Sequence, residues 1–304
     1  MKELFSDGVS SSDSQSSFEL PPDQYEQLVF RFAVTTDTGQ TLTMADLGEV
    51  QITDGKGQQT RIDFASLQDR AFAVGGILQD VSGSAATAEN VAVPIPFALP
   101  GDEDAIFEVG VAESVTVRLF YASTLATRIG SNTMTVTVNG VVKDGIQYYR
   151  LLHNRFDIPI TSGLTTKTLP FENIQEIWME RTSNISRVVI NSEGNQPYNA
   201  ALNDLIQFTH ARYNLETFSS TPNKLALPLN LTSEVDDGLH DNVQVQIDGS
   251  GTDTITLHVV SVDFTPDEMA STQQKKAELA QRKFIAKRND GKTRPLRAIA
   301  QAGS

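Results

Sequence analysis

The stretch LPFENIQEIWMERTSNISRVVINSEGNQPYNAALNDLIQFTHARY, residues 169–213, repeats a layout that occurs earlier in the chain. Both copies begin with a Leu-Pro pair, continue through an apolar run and an alternating segment, and end in a helical pattern. Three apolar residues of each copy match at a constant offset of 138 positions: Leu47, Val50 and Ile52 against Ile185, Val188 and Ile190. A period of this length is the size of a whole domain, so the sequence predicts two similar domains and not a solenoid.

Length and composition agree with two domains. A chain of 304 residues suits two domains of about 150 residues each. There is no cysteine, which excludes disulfides and thiolate metal sites. No apolar run reaches the roughly 18 residues that a membrane-spanning helix needs, and Met1–Phe5 lack the apolar core of a secretory signal. We therefore expect a protein that is made and assembled in a cytoplasm.

Period-two alternation and regular turn signals predict the fold class. Met134, Val136 and Val138 alternate with threonines, and Asn139-Gly140 follows as a hairpin signal. Each half offers seven or eight such strands and one helix, with turns about every ten residues, as in a sandwich or barrel. The sequence thus predicts an all-β protein of two tandem jelly-roll β-barrels or sandwiches, with short helices and a C-terminal helix.

Further details of the repeat are predicted from the same patterns. Two helices are expected at 64–72, capped by Asp63, and from Ala200 to about Tyr213, capped by Asn199. The two prolines in 93–97 predict an edge strand, echoed near Pro228. A strand at 115–121 is expected to correspond to the strand around Leu257, at an offset of 140 from Val117.

The predicted organisation has four parts. Residues 1–18 form a flexible arm, 19–155 a first jelly roll, 156–265 a second jelly roll, and 266–304 a basic helix and tail. The arm is rich in Ser and Asp and almost free of apolar residues, so it cannot bury enough surface to offset the entropy of ordering. It is either simply disordered or ordered only against a neighbouring subunit.

Charge is distributed unevenly between the body and the tail. The chain carries −14 overall, while nine basic and two acidic residues give the segment from Lys275 to Arg297 a charge of +7, leaving −21 elsewhere. We take this segment as a candidate contact for an anionic surface, either acidic lipid headgroups or packaged nucleic acid. A solvated helix with a fraying end explains the pattern equally well. The basic residues are Lys275, Lys276, Arg282, Lys283, Lys287, Arg288, Lys292, Arg294 and Arg297.

Catalytic and metal-binding motifs are not found. The four histidines are scattered without metal-ligand spacing, which disfavours a cupin-type enzyme, so we expect a structural role for each. No phosphate-binding glycine loop or nucleophile elbow occurs. Acidic clusters at 102–104 and 234–241 could hold a structural calcium ion, although solvated loop charge is the simpler interpretation. No catalytic residue, metal site or cofactor is therefore predicted.

In its layout the chain resembles the double jelly-roll major capsid proteins of tailless, icosahedral, lipid-containing bacteriophages, the corticovirus-like group and its relatives. The resemblance covers about residues 19–265. It rests on the order of the Leu20-Pro21 segment, the Val50–Ile52 strand, the Asn154-Arg155-Phe156 linker and the Leu169-Pro170 segment.

The resemblance implies a viral structural protein of the virion. Three chains would form a trimer with six barrels, a pseudo-hexagonal capsomer that tiles an icosahedral shell. Its partners would be other copies of itself, neighbouring capsomers, penton or spike proteins and, through the tail, an internal membrane or the genome. Two other classes stay open: a tandem β-sandwich that binds carbohydrate or a receptor, as in a spike, and an enzyme built on a β-sandwich.

Overall fold

A computed structural model describes residues 1–54, 59–67, 89–97, 106–144, 147, 149–192, 198–213, 224–227 and 240–264. Alternating sequence produces alternating burial in these strands, because successive side chains point to opposite faces of a sheet. Met134, Val136 and Val138 are fully buried, while the threonines between them face outward. The described strands form four antiparallel sheets, two in each half of the chain.

The first half is a sandwich of two sheets around one apolar core. One sheet has the order β1-β9-β3-β6, with β7 also paired to β3. Its strands are β1 (Lys2–Val9), β3 (Asp23–Val34), β6 (Glu89–Pro96), β7 (Phe107–Val109) and β9 (Met134–Val142). The other sheet has the order β2-β8-β4-β5, and its strands are β2 (Gln15–Glu19), β4 (Glu49–Thr53), β5 (Gln59–Asp63) and β8 (Thr116–Phe120).

The second half is a sandwich with its own separate core. One sheet has the order β10-β17-β12-β15, and its strands are β10 (Tyr149–Ile160), β12 (Ile174–Glu180), β15 (Lys224–Leu227) and β17 (Asp253–Phe264). The other has the order β11-β16-β13-β14, and its strands are β11 (Gly163–Thr168), β13 (Ile185–Asn191), β14 (Tyr198–Ala201) and β16 (Gln244–Gly249).

The two halves have the same connectivity. With β7 set aside, each half has eight described strands. When these are numbered 1 to 8 along the chain, one sheet of each half has the order 1-8-3-6 and the other has the order 2-7-4-5. This order is that of a jelly roll, in which two Greek keys close a sandwich. The predicted all-β fold of two tandem jelly rolls is therefore confirmed.

The repeat at 138 positions coincides with one pair of equivalent strands. Val50 lies in β4 and Val188 in β13, and both are fully buried. The next strand keeps the register, because Val50 pairs with Ile62 and Val188 with Ala200, which are again 138 positions apart. The other expected correspondence is wrong: Val117 lies in β8, whose equivalent is β16, whereas Leu257 lies in β17, the equivalent of β9.

The prediction of a flexible arm at 1–18 is also wrong. β1 pairs with β9 from Lys2 through Val9, and β2 pairs with β8. Backbone hydrogen bonds in these ladders do not depend on apolar side chains, and the rings of Phe5 and Phe18 stack with centroids 4.7 Å apart. The arm is therefore an integral part of the first jelly roll.

The boundary between the jelly rolls lies earlier than expected. Residues 154–156, predicted as a linker, lie inside β10, which begins at Tyr149 and belongs to a sheet of the second half. The continuous alternation of buried and less buried residues from Tyr149 to His153 explains the strand. The second jelly roll thus starts at about Tyr149 instead of at 156.

Helices lie in the connections between strands. A helical turn, α1 (residues 64–67), follows β5, and Asp63 caps it as predicted, since its Oδ1 accepts the Ser66 N–H at 2.7 Å. The expected cap at Asn199 is wrong, because residues 198–201 form β14 and α3 (Leu202–Tyr213) begins after them. A 3-10 helix (Met44–Leu47) and α2 (Ser123–Ile129) were not predicted. Among the described residues, no helix is long and apolar enough to span a bilayer.

Candidate functional site: the junction between the jelly rolls

At the junction, strands β4 and β5 and helix α1 of the first jelly roll contact strands β10, β12 and β17 of the second. Its first element is a buried ion pair between Arg150 of β10 and Asp54, which follows β4. Only 10% of the Arg150 side chain and 7% of the Asp54 side chain are exposed. Burial lowers the pKa of Arg150 from its ordinary value, and the guanidinium also lies 5.5 Å from the centre of the Phe107 ring.

A second, more open group of charges surrounds Glu49 of β4. Arg61 Nε donates to Glu49 Oε1 at 2.9 Å, and this hydrogen bond raises the pKa of Arg61. Arg155 Nη1 lies 4.0 Å from Glu49 Oε2, so Glu49 receives one arginine from each jelly roll. Arg61 and Arg155 line a polar cleft together with three other residues of β10: His153, Asn154 and Asp157.

Asp157 anchors the β10 side of the cleft. Its Oδ1 accepts hydrogen bonds from Thr256 Oγ1 at 2.7 Å and Arg155 Nε at 3.2 Å. Burial raises the pKa of Asp157, but these hydrogen bonds and the charge of Arg155 outweigh it, so the pKa lies below its ordinary value. The two arginines of the cleft are therefore neutralised by two carboxylates, Asp157 within the cleft and Glu49 beside it.

The third group brings together residues that are far apart in sequence. His258 Nε2 of β17 lies 3.2 Å from Glu180 Oε1 of β12 and 3.5 Å from Asp63 Oδ2 of β5. Ser66 Oγ is 3.3 Å from the same nitrogen. The His258 side chain is 6% exposed, so the contact between the jelly rolls passes through a buried imidazole.

Burial along β17 shows how the halves pack. Every residue from 255 to 262 is buried, on both faces of the strand. In β9, its equivalent in the first jelly roll, only alternate residues are buried. One face of β17 packs on the core of its own sandwich, while His258 on the other face contacts the first jelly roll. In the second half, the outward face of this sheet is thus a docking face. In the first half, the described residues show no element docked on the equivalent face.

The junction residues that the structure describes include none of the residues predicted from sequence as sites. All nine basic residues from Lys275 to Arg297 lie outside the described residues, as do the acidic residues at 102–104 and 234–237. Asp241 is described, and its Oδ1 accepts the Asn173 N–H at 2.6 Å. His153 and His240 are buried in the second half.

The Asp63–Glu180–His258 cluster was not predicted from the sequence. Its three members come from three strands, and only the pairing of β12 with β17 and the docking of β5 bring them together. The one available signal was position: His258 interrupts an apolar run in a strand that is buried on both faces.

Comparison with known proteins gives structural matches alone. No protein-family model matches the chain, and no curated protein matches its sequence. The major capsid protein P2 of bacteriophage PM2 is similar in structure, with a TM-score of 0.53 and 12% identity over 86% of this chain and 98% of that one. The MCP of STIV has a TM-score of 0.61 and 8% identity over 88% of this chain and 97% of that one.

A third match comes from the atomic structure of the Sulfolobus turreted icosahedral virus. It has a TM-score of 0.61 and 9% identity, and covers 92% of this chain and 95% of the viral one. In all three cases the match extends over nearly the whole of the other chain, so both jelly rolls are included. The chain therefore has the double jelly-roll fold found in major capsid proteins of icosahedral viruses.

Proposed function

We propose that this chain is a major capsid protein, a structural subunit of a virion that assembles in the host cytoplasm. The observation that carries the proposal is the match of both jelly rolls, in one chain, to viral capsid proteins along nearly their whole length. The groups at the junction support a structural role, because their charges pair with one another across the two halves.

The internal junction also supports a closed ring of copies. Within one chain, the outward face of β4 and β5 meets the outward face of the β10-β17-β12 sheet. The equivalent surfaces are the face of β13 and β14 in the second jelly roll and the face of the β1-β9-β3 sheet in the first. Among the described residues these two surfaces do not contact each other, and we propose that each contacts a second copy.

A contact of this kind is heterologous, since the end of one chain meets the beginning of the next. Heterologous contacts either close into a ring or continue as a filament. If the contact within a chain and the contact between chains each turn the next jelly roll by one sixth of a circle, six jelly rolls from three chains close a pseudo-hexagonal ring. We therefore propose a trimer as the capsomer, which would then contact neighbouring capsomers and penton or spike proteins.

The contact between chains would differ in detail from the one within a chain. Glu49 at the junction receives two arginines, and its equivalent 138 positions later is Arg187. Arg187 is exposed and would require an acidic partner. This reversal of charge would distinguish the contact between chains from the contact between halves.

Mass measurement and electron microscopy of the purified chain test the proposal. We expect trimers by light scattering and pseudo-hexagonal particles, sheets or shells in micrographs. A stable monomer at all concentrations would contradict the capsid function. A monomer that binds an oligosaccharide on an array would instead support the alternative of a carbohydrate-binding or receptor-binding spike protein.

The basic tail provides a further part of the proposal. Nine basic residues between Lys275 and Arg297 follow a body with a net charge of −21. Such a segment attracts phosphate groups by charge alone. We propose that it contacts the anionic material inside the shell, either a membrane or the packaged genome.

A further inference from the structure

We propose that Asp63, Glu180 and His258 form a binding site for one zinc ion at the junction between the two jelly rolls. The site is independent of the capsid function, because it follows from three side chains and their geometry. It takes one ligand from the first jelly roll, through β5, and two from the second, through β12 and β17.

Distances between the ligand atoms fit a tetrahedral ion. Ligands bound to Zn²⁺ at about 2.0–2.2 Å in a tetrahedron lie roughly 3.3–3.5 Å from one another. His258 Nε2 is 3.2 Å from Glu180 Oε1 and 3.5 Å from Asp63 Oδ2, and all three ligand atoms lie within 4.8 Å of one another. Only the two carboxylate oxygens therefore need to adjust when the ion binds.

The donor set selects the type of metal. Zinc accepts both imidazole nitrogen and carboxylate oxygen as ligands, and zinc sites with three protein ligands can keep a fourth position for water. Calcium and magnesium prefer oxygen ligands throughout. Glu180 is 48% exposed, so the fourth position is reached by solvent and by an incoming ion.

Charge and the hydrogen bonds to Asp63 also favour a cation. With the imidazole neutral, as it is when it ligates a metal, the cluster carries two carboxylate charges beside a buried ring, and a divalent ion neutralises them. Ser66 fixes Asp63, because its N–H donates to Oδ1 at 2.7 Å and its Oγ to Oδ2 at 2.5 Å. Hydrogen-bonded carboxylates are characteristic of metal ligands.

Nε2 is the atom of His258 that faces both carboxylates. Nδ1 is buried and makes no hydrogen bond among the described residues, so the polar side-chain contacts that orient the ring lie at Nε2. A metal on Nε2 would fix the ring and link the two sandwiches directly.

Titration of the EDTA-treated full chain with ZnCl₂ tests the site. We expect one equivalent of Zn²⁺ to bind by calorimetry and to raise the melting temperature. CoCl₂ should produce the intense visible absorption of tetrahedral cobalt. Asp63→Asn and His258→Gln should each weaken zinc binding at least tenfold and remove the cobalt band.

His153→Gln is the matched control, because His153 is an equally buried histidine of the second jelly roll outside the cluster. This variant should keep zinc binding and the cobalt spectrum even if it lowers the melting temperature. Failure of the wild-type chain to bind Zn²⁺ would overturn the proposal. Binding that persists unchanged in Asp63→Asn and His258→Gln would also overturn it, since the ion would then lie elsewhere.

Discussion

Leu20 and Leu169 occupy the same place in the two jelly rolls and make the same hydrogen bond. The Leu20 N–H donates to the Val115 carbonyl at 2.8 Å, and the Leu169 N–H donates to the Val243 carbonyl at 2.9 Å. Both side chains are 3% exposed and belong to the core of their own sandwich. The duplication therefore extends to the connections that lead from one sheet of each sandwich to the other.

Leu20→Ala and Leu169→Ala should destabilise the protein to similar extents. Each removes a buried side chain from a packed core, which costs about 2–5 kcal/mol. Chemical denaturation monitored by tryptophan fluorescence and circular dichroism measures the loss. Leu164→Ala is the control, because Leu164 is 60% exposed. A loss at one position only would show that the two connections are not energetically equivalent.

Asp54→Asn should destabilise the junction strongly. It removes the carboxylate that pairs with the buried Arg150 guanidinium, and only the charge of Asp263 then still acts on that group. Breaking a buried pair costs about 3–5 kcal/mol. The double variant Asp54→Asn, Arg150→Met should lose less than the sum of the two single variants in equilibrium unfolding. Asp23→Asn is the control, since the Lys2–Asp23 pair is exposed and worth at most about 1 kcal/mol.

Asp46 should make stability depend on pH in the acid range. Burial raises its pKa, but hydrogen bonds from Thr124 and Thr43 and the charge of Arg128 outweigh burial, so the folded pKa lies below its ordinary value. The carboxylate therefore contributes stability above about pH 3.9, its unfolded pKa, and this contribution is lost as the pH falls through the folded pKa. Asp46→Asn should lower stability near neutral pH and flatten its dependence below pH 4.

Thr124→Val provides an intermediate test of the same site. It removes one hydrogen bond to Asp46, the 2.6 Å contact from the Thr124 hydroxyl, and leaves those from Thr43. We expect a smaller loss of stability than in Asp46→Asn, measured by thermal unfolding from pH 3 to pH 7. Equal acid sensitivity in all three proteins would show that other carboxylates control the acid transition.

Arg187→Glu should impair assembly without unfolding the chain. Arg187 is exposed on the outward face of β13, in the surface that we propose contacts a second copy, and the substitution would place a negative charge against its acidic partner. Light scattering should show loss of trimers while circular dichroism stays unchanged. Arg118→Glu, which changes an exposed arginine of β8 outside the two proposed contact surfaces, should leave the trimer intact.

Removal of the residues after Ala270 should weaken binding to anionic vesicles or DNA and leave both jelly rolls folded. The nine basic residues of the tail supply the positive charge, so the full chain should also lose binding as salt increases. Co-sedimentation with vesicles and filter binding with DNA measure the two cases separately. Salt-insensitive binding that is unchanged in the truncated chain would contradict a role for the tail.

The fold could be predicted because the strand pattern is local. The alternation at Val50 and Ile52, repeated 138 positions later, predicts which face of a strand is buried. This prediction does not depend on which strands pair with it. The arm was mistaken for a flexible segment because β1 depends on its partner β9, and that pairing leaves little trace in the composition of residues 1–18.

The junction could not be predicted for a related reason. Arg150 and Asp54 are 96 positions apart, and His258 and Asp63 are 195 apart, so their contacts depend on how one sandwich docks on the other. Single-sequence patterns describe faces of strands and not the packing of whole domains. The sequence did show that no histidine pair has metal-ligand spacing, but a site assembled from three distant strands has no such spacing.

Pairing of β1 with β9 sets an order of events during translation. Lys2 precedes its partner in the ladder, Gly140, by 138 residues. β1 must therefore wait, without this partner, until β9 has been synthesised. Nascent chains shorter than β9 would expose strand edges that pair with other polypeptides, so we expect fragments ending before Met134 to aggregate and to recruit chaperones.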